Sequence, residues 1–280
     1  MKNSLRLICL ALGLVMLFCS LSACSGFGKK TLYIAEGQLE EETFGIGFRH
    51  DDYALALKVQ ETLDAMRADG TAGTISKEWF GEDRVITSDT YTREPVISDS
   101  DMSLQKVLDA GKLVMGLDPG FAPMGYQDEN NKLIGFDIDL AREVCKRLNI
   151  ELVLQPISWD AKETELSTGR IDCIWNGMSI NDGRVREMFI PKPYMKNAQV
   201  ILSYDKKIMG PADLSGLKVG TQSGSAAEEL VEGLANAGDI TLEKYDDFFM
   251  AYEDLKLGRV DALAIDLVAA EYFVTMSKNN

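Results

Sequence analysis

"ADGTAGTISKEWFGED", residues 68–83, reads as the last two helices of a folded domain. A helix runs to Asp69 and Gly70 stops it; a short helix follows to Trp79 and Phe80, and Gly81 closes that. Glycine suits both stops because it enters the left-handed region at no steric cost. Residues 82–102, "EDRVITSDTYTREPVISDSDM", are polar, contain Pro95 and keep neither a helical nor a strand period, so they read as a linker. After them a domain is only beginning, with most of its strands still to come. An ending precedes a beginning.

Outward from that point the pattern is α/β. "TLYIA", "FGIGF", "GKLVMGL", "IELVLQ", "IDCIWNG", "AQVILSY", "LKVGT", "ITLEKY" and "VDALAI" are short apolar runs at strand length. Between them stand helical patterns. In "DYALALKVQETLDAMRADG" residues Leu55, Val59, Leu63 and Met66 share one face, and "FDIDLAREVCKRL", "SAAEELVEGLANAG" and "DFFMAYEDLKLG" behave alike. "GKLVMGLDPG" to "FIPKPY" forms one α/β stretch and "LKVGTQSGS" to "LAIDLVAAEYF" a second, with "NAQVILSY" passing between them. Two such stretches imply a cleft suited to a small ligand.

Composition removes several function classes. A formal net charge of -15 repels nucleic-acid phosphates. His50 is the only histidine, and "FRHDD" reads as a solvated loop; no zinc-type spacing exists, so no metal and no cofactor are expected. Lys2 and Arg6 precede an apolar run from Leu7 to Phe18, and "LSAC" ends it at Cys24. That run is short for a bilayer span and sits where a secretory signal sits. Leu-Ser-Ala-Cys matches the bacterial lipobox, so residues 1–23 are expected to be a signal peptide, Cys24 the lipidated residue, and 24–30 a tether. Cys145 and Cys173 then remain for the fold, as buried thiols or as a disulfide.

Specific motifs carry a resemblance. "GLDPGFAPMGYQDENNKLIGFDIDLAREVCKRL", "ISWDAKETELSTGRIDCIWNGMSINDGR", "DLSGLKVGTQSGSAAEEL" and "LKLGRVDALAIDLVAAEYF" resemble, in consistent order, the bacterial polar-amino-acid-binding proteins of ABC importers. The resemblance covers everything from Thr31 onward except the linker. It implies a two-lobed type II periplasmic-binding-protein fold of α/β class with a ligand cleft between the lobes.

An amino acid presents a carboxylate, an ammonium and a side chain. Arg184, ending "SINDGR", offers a planar fork for the carboxylate. "QSGSAAEEL" puts a small-residue loop before a helix N-terminus, which favours an anion; the resemblance puts Ala226 where relatives carry a hydroxyl residue. By the same resemblance Asp266 faces the ammonium, although it would equally cap the following helix. Asn176, Gly177 and Ser179 match backbone and hydroxyl contacts, Phe121 and Trp159 two aromatic walls, and Asp118 a carboxylate near the side-chain end. Singly, either aromatic is more often core. Lys162 and Glu163 in "DAKETEL" read as a solvated helix face. Leu152 stands where some relatives place a disulfide partner for the cysteine of "REVCKRL", so that bridge is not expected.

Relatives usually begin with a segment like "SLQKVLDAGKLVMG" and end with one like "DGTAGTISKEWFG", which here comes first. The strand and the "GIGFR" crossing expected after "EYFVTMSKNN" are found at residues 31–52. The order reads as a circular permutation, preferred over a truncated tandem copy. The expected organisation is residues 31–45 and 203–280 as the second lobe, 46–83 and 103–202 as the first, and 84–102 as the joint between the usual ends. The implied function is a monomeric receptor, lipid-anchored at the bacterial cell surface or in the periplasm, that passes a free amino acid to ABC permease subunits. The other readings are a dehydratase-like enzyme acting on cyclic amino acids, and a surface sensor or adhesin.

Overall fold

The computed structural model describes residues 31–96, 98–235 and 238–279. The expected signal peptide, Cys24 and the whole of the expected tether lie outside the described residues. In chain order the strands are β1 (Tyr33–Ile34), β2 (Glu40–Phe48), β3 (Lys112–Leu117), β4 (Gly120–Phe121), β5 (Gly125–Gln127), β6 (Leu133–Ile134), β7 (Glu151–Pro156), β8 (Cys173–Ser179), β9 (Met195–Ser203), β10 (Lys218–Gln222), β11 (Thr241–Tyr245) and β12 (Ala262–Asp266). The helices are α1 (Tyr53–Ala68), α2 (Thr71–Phe80), α3 (Ser103–Ala110), α4 (Phe136–Leu148), α5 (Lys162–Ser167), α6 (Asp182–Glu187), α7 (Ala226–Ala235), α8 (Phe248–Lys256) and α9 (Leu267–Asn279).

Each apolar run quoted above forms a strand of one large sheet. Its order is β11-β10-β12-β9-β2-β8-β3-β7, with β1 added on β9. At one end β10 pairs parallel with β11 and β12; at the other β3 pairs parallel with β7 and β8. Parallel strands need covered faces, and α4 packs on β7 and β8 while α7 and α8 pack on β10, β11 and β12. Two antiparallel strands join the ends. Residues 195–199 of β9 pair with 44–40 of β2, whereas residues 199–202 pair with 266–263 of β12. β4, β5 and β6 form a separate small sheet that sequence reading missed, since two or three residues cannot display a strand period.

The opening stretch folds as its glycines require. Gly70 and Gly81 take φ of 84° and 76°, and Leu55, Val59, Leu63 and Met66 are buried on one face of α1. α1 packs on α3 and α4, and α2 on α4, so the helices before the linker cover helices that follow it. Linker residues 84–96 and 98–102 contain no helix or strand, only an isolated bridge from Val85 to Met195. They are nevertheless tied down: the Ile86 amide donates to Tyr194 O (2.8 Å) and the Thr92 amide to Pro191 O (3.0 Å). Asp101 Oδ2 accepts from the Ala54 amide at 2.7 Å. Arg84 reaches across to Glu271 of α9 at 2.6 Å. Cys145 and Cys173 are buried free thiols, which resolves the alternative left open by the sequence.

Asp137, in the first turn of α4, is fully buried. Its Oδ2 accepts from the Gly177 amide (2.6 Å) and the Tyr194 hydroxyl (2.8 Å), tying the helix to β8 and to the residue just before β9. Burial pushes its carboxyl from 3.8 up to about 7, against the pull of those two donors. The folded chain therefore holds this proton more tightly than the unfolded chain. The stability it contributes is present in full below about 3.8 and is lost as pH rises through about 7. Urea midpoints measured across this window should fall with rising pH in the wild type and fall less in Asp137→Asn. Equal slopes would mean that Asp137 does not hold the proton.

Candidate functional site

Nine residues singled out from the sequence come to lie around one region where the two ends of the sheet face each other, and all are buried. Asn176, Gly177 and Ser179 stand on β8, and Asp266 ends β12. Arg184 sits on α6, whose N-cap Asn181 accepts from the Arg184 amide at 2.9 Å. Ala226 opens α7. Asp118 and Phe121 flank the turn into β4, and Trp159 opens the 3-10 turn Trp159–Ala161.

Arg184 is the main positive charge. Its Nη1 donates to Ser179 O (2.8 Å) and its Nη2 to Gly224 O (3.2 Å), so it touches both ends of the sheet. Burial lowers its pKa, opposed by Glu229, Glu163, Glu42 and Asp266. Asp266 Oδ1 accepts from Asn197 Nδ2 and Gln199 Nε2, each at 2.8 Å. Burial, and then the neighbouring Glu42, raise its carboxyl well above the usual range. Glu42 Oε1 accepts from the Ser179 hydroxyl (3.0 Å), Asn197 Nδ2 (2.6 Å) and Gln199 Nε2 (2.9 Å).

Asp118 accepts from the Gly120 amide (2.8 Å) and from Gln222 Nε2 (2.7 Å), while its own amide donates to Asn176 Oδ1 (2.8 Å). Burial pushes its carboxyl up to about 6, opposed by the Gly120 and Gln222 donors and assisted by Asp247. Phe121 packs against Phe44 and Phe248 with ring centroids 6.5 and 5.7 Å away. Its Cε1 lies 2.6 Å from where a Cβ on Gly177 would stand, and Gly177 has φ of 54°, so only glycine fits there.

Sequence reading missed Glu42, Asn197, Gln199 and Gln222, and it misjudged Lys162. Lys162 is only 3% exposed. Its Nζ donates to Trp159 O (3.2 Å) and Gly224 O (3.0 Å) and pairs with Glu163 at 3.1 Å. The expectation of a solvated face fails because the Gly224 loop, 62 residues on, folds over it. His50 does lie exposed, bonded to Asp51 and Arg93. Among the described residues no group of His, Cys, Asp or Glu is placed to hold a metal ion. The arrangement offers a guanidinium and a helix start for an anion, and carboxylates for a cation.

Residues 113–254 match the family described as bacterial extracellular solute-binding proteins, family 3. The chain belongs to this family. The L-cystine-binding protein of Escherichia coli K12 is 33% identical over 170 residues, which are 60% of this chain and 63% of that protein. The chain thus spans under two-thirds of the length of such relatives. A substrate-binding protein of an ABC uptake transporter from Streptococcus pneumoniae, solved with bound histidine, is 35% identical with a TM-score of 0.60, over 65% of this chain and 76% of that one. An ancestral amino-acid-binding protein, a precursor of cyclohexadienyl dehydratase, is 28% identical with a TM-score of 0.59, over 62% and 78% of the two chains. The family has the two-lobed type II periplasmic-binding-protein fold, so the two ends of the sheet are its lobes.

Gly224 O, shared by Lys162 and Arg184, is then an interlobe contact, as are Asp118 with Gln222 and Asn181 Nδ2 with Glu229 Oε2 (3.2 Å). Lys162→Met removes one of these and should shift the population toward an open form. Small-angle scattering should show a larger radius of gyration for the variant; an unchanged value would mean that Lys162 does not hold the lobes together.

Proposed function

We propose that the chain is an extracytoplasmic receptor that binds a polar or charged amino acid between its lobes and delivers it to an ABC importer. The observation that carries this reading is the burial of Arg184 and Asp266 at one junction, one from each lobe, with chemistry matched to the two ends of a zwitterion. Relatives named for binding cystine and histidine support it. Arg184 holds the carboxylate with the start of α7 at Ala226, and Ser179 supplies a contact from the first lobe. Asp266 holds the ammonium. Asn176 and Gly177 line the first-lobe side, Phe121 and Trp159 flank the side chain, and Asp118 stands at its far end. Ligand joins the lobes and favours the closed form, which the permease reads.

The chain order is a circular permutation, with lobes divided at residues 31–45 and 203–280 against 46–83 and 103–202, and with 84–102 as the joint. Two observations support this. The curated relative matches about 60% of the chain, and α1 and α2 pack on α3 and α4 from the other side of the joint. Cys24 carries the lipid anchor that holds a monomeric receptor at the membrane. Arg184→Ala should lose ~2–5 kcal/mol of amino-acid affinity, the scale for truncating one member of a buried charge pair. Calorimetry after a thermal-shift screen of the twenty amino acids and L-cystine checks this; wild-type affinity in the variant would refute the orientation. Cys24→Ser should abolish lipid labelling and membrane retention, and an unlabelled wild type would remove the anchor.

The dehydratase reading draws on the ancestral relative and on the raised carboxyl of Asp266. Binding without turnover is favoured, because the general acid or base would have to be the same group that holds the ammonium. Mass spectrometry should return each bound amino acid, and arogenate, unchanged; conversion of any of them would make the chain an enzyme.

A further inference from the structure

Glu42 was not among the residues the sequence pointed to, yet its carboxylate stands at the centre of the site. It lies on β2, one of the two strands that join the lobes, in register with Asn197 of β9. Glu42 Oε1 and Asp266 Oδ1 accept from the same two nitrogens, Asn197 Nδ2 and Gln199 Nε2. Two amides thus hold two carboxylates side by side. The amide carbonyls add to the imbalance: Asn197, 8% exposed, and Gln199, 0% exposed, each leave a buried side-chain oxygen that meets no donor among the described residues. Glu42, Ser179, Asn197 and Ala226 together line one cavity of about 640 Å³. The cluster is rich in acceptors and poor in donors. An ammonium group, with three donors and no acceptor, is the complementary ligand chemistry.

We propose that Glu42 is a second carboxylate of the ammonium subsite, a specificity-determining residue supplied by a strand between the lobes. The inference rests on the amino-acid reading above and deepens it. Asp266 alone neutralises one ammonium. Glu42 adds a charge that a neutral group in the same position, such as a hydroxyl, cannot answer. It therefore sharpens the choice of amino acids over their α-hydroxy counterparts. Its place on β2 also ties the ligand's cation to a strand that spans both lobes.

The surroundings decide how this charge is balanced. Besides Asp266 on β12, the charged groups around Glu42 are Arg184 on α6, Glu229 on α7, Lys196 on β9, and its own neighbours Glu40 and Glu41. Arg184 is committed to the ligand carboxylate, so negative charge dominates the ammonium end. Asp266, raised by burial and by Glu42, holds a proton over a wider pH range than an ordinary carboxyl. The incoming ammonium takes that proton's place and the proton passes to solvent. Affinity should then rise with pH, by up to about tenfold per unit, until Asp266 is ionised in the free protein.

The test is calorimetry on the folded full-length protein with the twenty L-amino acids and L-cystine, then with the α-hydroxy analogue of each binder. Glu42→Gln should lower affinity for the amino acid by roughly tenfold or more, the weight of one nearby opposite charge, while leaving affinity for the hydroxy analogue unchanged. The wild type should also release protons on binding the amino acid, read from heats in buffers of different ionisation enthalpy, and none with the analogue. That second measurement needs no variant, so a misfolded Glu42→Gln would not shield the proposal. Equal losses for amino acid and analogue, or no proton release, would overturn the role of Glu42 alone. A wild type that binds none of the amino acids would overturn the receptor reading and this one with it.

Discussion

A guanidinium kept out of water is the constraint on which the rest of the structure depends. Burying an unpaired charge costs several kcal/mol, and Arg184 is buried where the two lobes meet. Its hydrogen bonds go to two backbone carbonyls, Ser179 O from one lobe and Gly224 O from the other. Neither carbonyl carries a full charge, so the compensation comes through the field of Glu229, Glu163, Glu42 and Asp266. The contact between the two ends of the sheet gathers both carbonyls and that field around the same side chain. A carboxylate arriving between the lobes would meet a donor already oriented, which is how preorganisation raises affinity without extra contacts.

The sheet makes this convergence possible. β2 and β9 run through its middle, each pairing with strands on both sides. Residues on these strands can therefore bond to either lobe, and Asn197, Gln199 and Glu42 do so at the site itself. Asp137 adds a further tie, accepting from the Gly177 amide and so holding the β8 backbone beside the candidate site. Arg84 adds a contact of a different kind, joining the linker to α9 through Glu271. The linker is thus part of the packed structure.

Most of the fold is legible in the sequence because β8, β9, β10 and β12 are buried along nearly their whole length and read as apolar runs. The helices were marked by Gly70, Gly81 and the spacing of Leu55 to Met66. The site was legible only where motifs carried it, as at Arg184 and Asp266. Glu42, Asn197 and Gln199 escaped notice because a polar residue in a strand ordinarily faces water, and nothing local reports that another strand supplies its partner. Lys162 misled for a related reason: its helix face is polar by pattern, and the loop that covers it comes from the other lobe. β4 to β6 are too short for any period to show. What sequence pattern misses here is contact between distant segments, where polar groups satisfy one another.

The most direct measurement is a crystal structure of the protein with the amino acid it binds. The expected result is a ligand enclosed between the lobes, its carboxylate on the Arg184 guanidinium and the start of α7, and its ammonium on Asp266 and Glu42. A ligand lying in the reverse orientation, or bound outside the interlobe site with Arg184 still satisfied by Ser179 and Gly224, would contradict it.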